Sequence, residues 1–100
     1  MTIKQLKHLY DSDILMYGSK IHNLKLHLDY VDDVFDGVKT FEYRFNDRKF
    51  MVGDYVRFFA FCNGSFCKHN IVKKLYLITY ILPVNENYVV FSFKEVIKYV

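Results

Sequence analysis

A period of two governs what this chain can become. In residues 21–28, His22, Leu24, Leu26 and Leu28 fall on one side of an extended backbone, and Ile21, Asn23, Lys25 and His27 on the other. The pattern returns in residues 40–45, where Phe41, Tyr43 and Phe45 share one face and Thr40, Glu42 and Arg44 the opposite one. It returns again in residues 88–93, with Val89, Phe91 and Phe93 opposed to Val90 and Ser92. Successive side chains of a strand point to opposite faces, so this spacing predicts strands, not helices. Residues 55–61, YVRFFAF, add a strongly aromatic strand. Asn63-Gly64 follows it and is the best hairpin signal in the chain, because both positions of a tight primed turn need positive φ. The returning strand is expected to begin near Cys67 and run, with room for a bulge, to Leu82, where Pro83 ends it.

Helical spacing occurs in two places. Asp29 is placed to cap a helix over 30–36, with Tyr30, Val31, Val34 and Phe35 as its buried stripe and Gly37 as the residue that ends it. Near the N-terminus, Ile3, Leu6, Leu9 and Tyr10 recur at helical intervals behind a Thr2/Gln5 capping box. A second turn is predicted after Asp11-Ser12-Asp13, on Ile14, Leu15 and Tyr17, with Gly18 as its stop. Asn46-Asp47-Arg48 and Val52-Gly53-Asp54 are turns. The sum is an α+β, mainly β domain of about five strands and one internal helix over 21–100, preceded by a helical extension over 1–20. Strands of this length with short connections predict a small, curled, mostly antiparallel sheet or barrel.

Bulk properties set limits on function. One hundred residues make a single domain with one modest core. Apolar residues are 52% of the chain, which excludes disorder. Ten Phe, nine Tyr and no Trp, with many Lys, Asn and Ile, match the usage of an AT-rich genome, such as a low-GC bacterium or one of its phages. The net charge of +3 permits a nucleic-acid or phosphate partner and equally permits a merely solvated basic surface. Residues 1–10 carry charge throughout and show no secretory pattern, and no apolar run is long enough to span a bilayer. The expectation is a cytoplasmic protein with no membrane partner, and with Cys62 and Cys67 as free thiols.

The densest polar run is residues 39–48, KTFEYRFNDR. Glu42 between Lys39 and Arg44 can orient a guanidinium toward phosphate, or accept a hydrogen bond from a base amino group. A lysine beside a carboxylate can also act as a general acid or base. The structural alternative is a Glu42–Arg44 or Glu42–Lys25 pair that closes the sheet, since charge on strand faces is ordinary. Asn46-Asp47-Arg48 reads both as an Asx-type turn and as a mount for Arg48 against phosphate. Lys68, His69, Lys73 and Lys74 can track a phosphate backbone or protect an edge strand. Tyr43, Tyr55, Phe58, Phe59 and Phe61 are either stacking platforms or core, and a domain this small needs most of them in its core. Cys62-x₄-Cys67-x-His69 offers three candidate metal ligands with no fourth nearby, so no metal or cofactor is expected. No glycine-rich phosphate loop, nucleophile elbow or H-E-x-x-H occurs.

In order and spacing, His22-Asn23-Leu24-Lys25-Leu26, Tyr30, residues 37–44 (GVKTFEYR), Asn46-Asp47-Arg48 and residues 50–54 (FMVGD) resemble the ASCH domain superfamily, relatives of the PUA RNA-binding domains. The similarity is to a small branch from phages and low-GC bacteria whose function is unassigned. It extends through Tyr80-Ile81-Leu82 and Tyr88-Val89-Val90 and covers residues 21 to about 95. It implies a PUA-like pseudo-barrel with a cleft along the residue 39–44 strand and RNA or nucleotide binding. The resemblance carries Lys25, Lys39, Thr40, Glu42, Arg44, Asn46 and Arg48 as ligand-binding residues. Two departures stand out. The branch's Gly-Arg pair after the hairpin tip is missing from Asn63-Gly64-Ser65-Phe66-Cys67, and residues 1–20 lie outside the match. Some ASCH proteins are amidohydrolases acting on acylated cytidine, with a Lys, a Thr and a Glu as proposed machinery. Lys39 matches the first and is the best catalytic candidate if the protein is an enzyme. Glu42 stands where the Thr is wanted, and Glu86 is only an unaligned candidate for the third.

The leading expectation is therefore a binding module for RNA or a nucleotide, more a non-enzyme than an enzyme. The alternative is a phage or mobile-element protein that binds and inhibits a host nucleic-acid-handling complex, with residues 1–20 as a docking or self-association face. The third is a small amidohydrolase on acylated nucleosides.

Overall fold

The computed structural model describes residues 20–97. The expected N-terminal helices lie outside the described residues. Strand β1 (Ile21–His27) leads into helix α1 (Leu28–Phe35), followed by β2 (Phe41–Phe45), β3 (Tyr55–Cys62), the two-residue β4 (Ser65–Phe66), a 3₁₀ turn (Asn70–Lys73), β5 (Tyr76–Pro83) and β6 (Tyr88–Glu95). They form one six-stranded sheet in the order β1-β3-β5-β6-β2, with β4 paired to β3. The β1–β3 pair is parallel; the other pairs are antiparallel. The sheet curls around a core of Leu24, Leu26, Val31, Val34, Val56, Phe58, Ile71, Ile78, Phe91 and Phe93. The described residues are mainly β with one α-helix, and the sheet is not a closed barrel: β1 and β2 are its two ends.

Local chemistry explains where the elements begin and end. The helix starts one residue after β1, because the His27 side chain, not that of Asp29, is the cap. Its Nδ1 accepts from the Asp29 amide at 3.2 Å. Leu28 therefore leaves the strand's inward row and is exposed, contrary to the alternation. Asp29 sits in the first turn, where the helix dipole favours a negative charge. At the other end Gly37 takes φ of +77°, and the Asp33 carbonyl accepts from both Val38 (2.8 Å) and Lys39 (2.9 Å). That double acceptor sets the direction in which the chain leaves the helix toward Lys39. The long return strand expected from Cys67 is interrupted. His69 instead caps the 3₁₀ turn, its Nδ1 accepting from the Ile71 amide at 2.9 Å, which buries Ile71. The expected bulge is at Thr79, between Ile78 and Tyr80, where the pairing with β6 shifts. The hairpin at Asn63 (φ +53°) and Gly64 (φ +79°) matches its signal.

The β2 strand alternates as expected, but its aromatic face is the outer one. Phe41, Tyr43 and Phe45 are about half exposed, whereas Glu42 is buried. Tyr43 thus lies outside the core in which Tyr55 and Phe58 are buried. The reason is register. Glu42 pairs with Phe91 and so shares its inward face, which leaves Tyr43 to stack on Tyr88 outside, ring centroids 5.1 Å apart and almost parallel. Phe45 meets the same Tyr88 edge-on at 5.4 Å.

Asp54 ties the start of β1 to the turn before β3. His22 Nε2 lies 2.8 Å from Asp54 Oδ2, and both side chains are buried. The same oxygen accepts from the Met51 amide at 3.1 Å, and Oδ1 accepts from the Lys20 amide at 3.2 Å. Asp54→Ala leaves three polar groups without their acceptor and should cost on the order of 3 kcal/mol, read as a lower urea midpoint at unchanged m-value. Asp54→Asn, which keeps an acceptor, should lose less.

Tyr76 is a second buried polar group, and its hydroxyl has no hydrogen-bond partner among the described residues. Burial, then the nearby Glu95 carboxylate, push its ionisation well above the ordinary tyrosine value, and burial raises that of Tyr55 too. The folded state thus resists losing these protons, while the unfolded chain releases them above pH 10.0, so stability falls as pH rises past that point. Tyr76→Phe should leave stability at pH 7 unchanged or raise it by up to about 1 kcal/mol, and should soften the alkaline loss. Urea melts at pH 7 and pH 10.5 check both; a clear loss at pH 7 would mean that the hydroxyl has a partner.

Candidate functional site

The open seam between β1 and β2 brings together most of the charged residues singled out by sequence. Glu42 points inward from β2 and has a cation on each carboxylate oxygen. Lys39 Nζ donates to Oε1, and Arg44 Nε donates to Oε2 at 2.8 Å. Arg44 then reaches across the seam, its Nη2 donating to the backbone carbonyl of Lys25 at 2.5 Å. A side chain thus takes the place of a strand-to-strand hydrogen bond where the barrel fails to close. Lys39 is further fixed by the Phe41 carbonyl at 2.8 Å, with its ammonium 5.3 Å and 5.1 Å from the centres of the Tyr30 and Phe41 rings. The Lys25 ammonium stands 4.6 Å over Phe61 and 5.8 Å over Phe66.

Two hollows flank the Arg44–Lys25 bridge. The upper one is lined by Asn23, Lys25, Arg44, Phe45, Asp47, Arg48, Phe59 and Phe66, with Leu24 and Phe50 at its floor. The lower one is lined by Lys25, Leu26, His27, Tyr30, Lys39, Phe41, Glu42, Tyr43 and Arg44. They follow one another along the seam. On β1 the upper hollow uses residues 23–25 and the lower one 25–27, while β2 and its flanks run the opposite way, 44–48 and then 39–44. Lys25 and Arg44 belong to both. The result is one groove divided by a cationic bridge, with aromatic walls on either side.

Lys25, Lys39, Glu42, Arg44 and Arg48 line this groove. Thr40 and Asn46 are placed elsewhere. Thr40 is exposed, lines neither hollow, and gives its carbonyl to the Phe93 amide at 3.0 Å. Asn46 serves the turn, its Oδ1 accepting from the Phe50 amide at 3.1 Å. The aromatic walls contributed by Tyr30 and Phe66 escape the sequence reading. Tyr30 is assigned there to the helix's buried stripe, yet it is half exposed and turned to the groove. The signal that finds it is the short β1–α1 junction, which brings the first helical turn beside β1.

The basic residues beyond the hairpin do not join this groove. Lys68, His69 and Lys73 border a separate hollow with Asp32 and Asp36, where His69 Nε2 pairs with Asp32 at 2.9 Å. Lys74 is held by Glu95 at 3.0 Å and by the Phe35 carbonyl at 2.9 Å. Cys62 and Cys67 are free thiols, and no cluster able to hold a metal ion occurs among the described residues. No helix among them is long and apolar enough to cross a membrane.

The fold and groove define a mainly β domain whose open seam is spanned by charge. Residues 21–93 match the family described as a domain of unknown function, DUF3850, and the chain belongs to that family. No curated protein matches the chain.

Glu42→Ala removes the shared acceptor and leaves two cations facing each other across the void. Both can reach water, so the cost should be about 2 kcal/mol, not that of a fully buried pair. A chemical denaturation midpoint measures it. Glu42→Gln, which can accept but not neutralise, should fall between the two.

Proposed function

We propose that this protein binds RNA or a nucleotide in the β1–β2 groove. The observation that carries the reading is the combination at the bridge. Arg44 is held flat by Glu42 and Lys25, and it has donors left over for an incoming phosphate. Beside it stand the Lys25 ammonium and the Arg48 guanidinium, neither of them in an ion pair among the described residues. Phosphate is met by this cationic centre, and bases are met by the aromatic walls, since stacking on rings is open to any base. The resemblance to ASCH domains, and through them to PUA domains, supports the same ligand class and a PUA-like form for the open, helix-inserted sheet.

The amidohydrolase reading draws less from this geometry. Glu42 has both oxygens occupied by cations, Lys39 is tied to Glu42 and to the Phe41 carbonyl, and Thr40 stands off the groove. The reading as an inhibitor of a host complex puts its docking face on residues 1–20, outside the described residues; the outer face of β5, β6 and β2, where Phe41, Tyr43, Phe45, Tyr80 and Leu82 are each at least half exposed, is a second apolar surface for it. Phe41, Tyr43 and Phe45 of that face also line the groove, so the two surfaces adjoin.

Single-stranded oligonucleotides should bind at low salt, with log affinity falling linearly as log salt rises. Lys25→Gln and Arg48→Gln should each weaken binding and reduce the slope by about 0.7 for every phosphate that is no longer neutralised. Lys25→Gln keeps the carbonyl that Arg44 needs, so it tests the charge without cutting the bridge. Fluorescence anisotropy over a salt series reads both effects. Absence of affinity for RNA, DNA and nucleotides at low salt would overturn the proposal.

A further inference from the structure

We infer that the groove is built for two consecutive nucleotides, with the phosphate that links them seated on the Arg44–Lys25 bridge and one base in each hollow. This rests on the nucleotide-binding reading above and narrows it to a dinucleotide step of a single strand. The shared residues are the starting point. Lys25 and Arg44 line both hollows, and the two hollows have no other lining residue in common. A ligand in either one therefore meets the same cationic centre. Two separate nucleotides would bring two phosphates to that one place, where like charges repel. One phosphate serving two bases removes the conflict, and the group that does so is a phosphodiester.

The walls support the same division. The upper hollow offers Phe45, Phe59 and Phe66, and the lower one Tyr30, Phe41 and Tyr43. Each therefore has its own stacking surface. From Asn23 to His27, the β1 edge of the groove spans about 13 Å at the usual strand rise, which gives each hollow a distinct length of wall on its own side of the bridge. The proposed pose takes a single strand, because bases lodged in hollows on either side of a bridge are unstacked from one another and carry no partner strand.

The test compares adenosine monophosphate, the dinucleotide ApA and its deoxy counterpart by calorimetric titration at low salt, using the full chain. ApA should bind at least about tenfold more tightly than the monophosphate, because a second base gains its own ring contacts. Tyr30→Ala, in the lower hollow, and Phe66→Ala, in the upper one, should each bring ApA most of the way back to the monophosphate's affinity. Both side chains are at least half exposed, so truncating them leaves the core intact, which a far-ultraviolet spectrum verifies. Equal affinity for ApA and the monophosphate would overturn the inference while leaving nucleotide binding in place. So would a full ApA response in either variant, since one hollow would then be idle. Failure of all three probes to bind would remove the nucleotide-binding reading itself. The ribose and deoxyribose arms separate an RNA source from a DNA source for the same dinucleotide chemistry.

Discussion

The buried carboxylate of Glu42 organises the side of the molecule on which the sheet ends. A carboxylate inside a protein is tolerated only where cations and hydrogen-bond donors occupy its oxygens, and Lys39 and Arg44 do so one to each oxygen. Both partners come from the same short stretch of chain as Glu42 itself. Arg44 lies two residues on, on the same face of β2, and Lys39 is delivered by the turn in which the Asp33 carbonyl catches the Val38 and Lys39 amides. Once Nε of Arg44 is bound to Glu42, the plane of the guanidinium is fixed. Its far nitrogen then reaches the Lys25 carbonyl, and a pair made within one strand becomes a link between the two ends of the sheet.

That link bears on the ordinary problem of edge strands. Exposed edges invite further pairing, and a curled sheet of this size can remove them by closing into a barrel. Here closure stops one step short. A guanidinium between two backbones holds them farther apart than a ladder of direct hydrogen bonds, so the same bridge that joins β1 to β2 also keeps them from zipping together. The groove is therefore part of how the sheet ends. Part of its aromatic lining follows from the register of β2, which turns Phe41, Tyr43 and Phe45 outward along that end of the sheet.

Much of this is legible in the residues. The period of two locates β1, β2 and β6, Asn63-Gly64 places the hairpin, and Glu42 between Lys39 and Arg44 marks the charged centre. What the pattern does not carry is which face of β2 turns inward. Alternation alone is symmetric: apolar Phe41, Tyr43 and Phe45 look like the natural inner row until the pairing of Glu42 with Phe91 assigns the opposite one. The 3₁₀ turn at Asn70–Lys73 is hidden for a related reason. Ile71 and Val72 suit a strand, and only the reach of the His69 side chain back to the Ile71 amide bends them out of it. The start of the helix is obscured by the same kind of hydrogen bond, with His27 in place of Asp29 as the cap. In all three cases a polar side chain or a distant register decides a question that apolar spacing leaves open.

The same reasoning separates five of the seven residues named from the sequence into two kinds. Thr40 and Asn46 spend their hydrogen bonds on the fold, one through its backbone carbonyl to β6 and the other through its side chain to the turn before Phe50. Lys25, Arg48 and the unused donors of Arg44 spend theirs on nothing within the described residues, and they stand along one groove. Lys25, steadied over the Phe61 and Phe66 rings yet in no ion pair among the described residues, is the kind of cation the proposed phosphate would meet. Glu42 belongs between the two kinds. Its charge is fully engaged, yet without it Arg44 would be free to swing into solvent, and the bridge would lose both its direction and its reach. The carboxylate that makes the site look catalytic in the sequence is better understood as the group that aims the arginine.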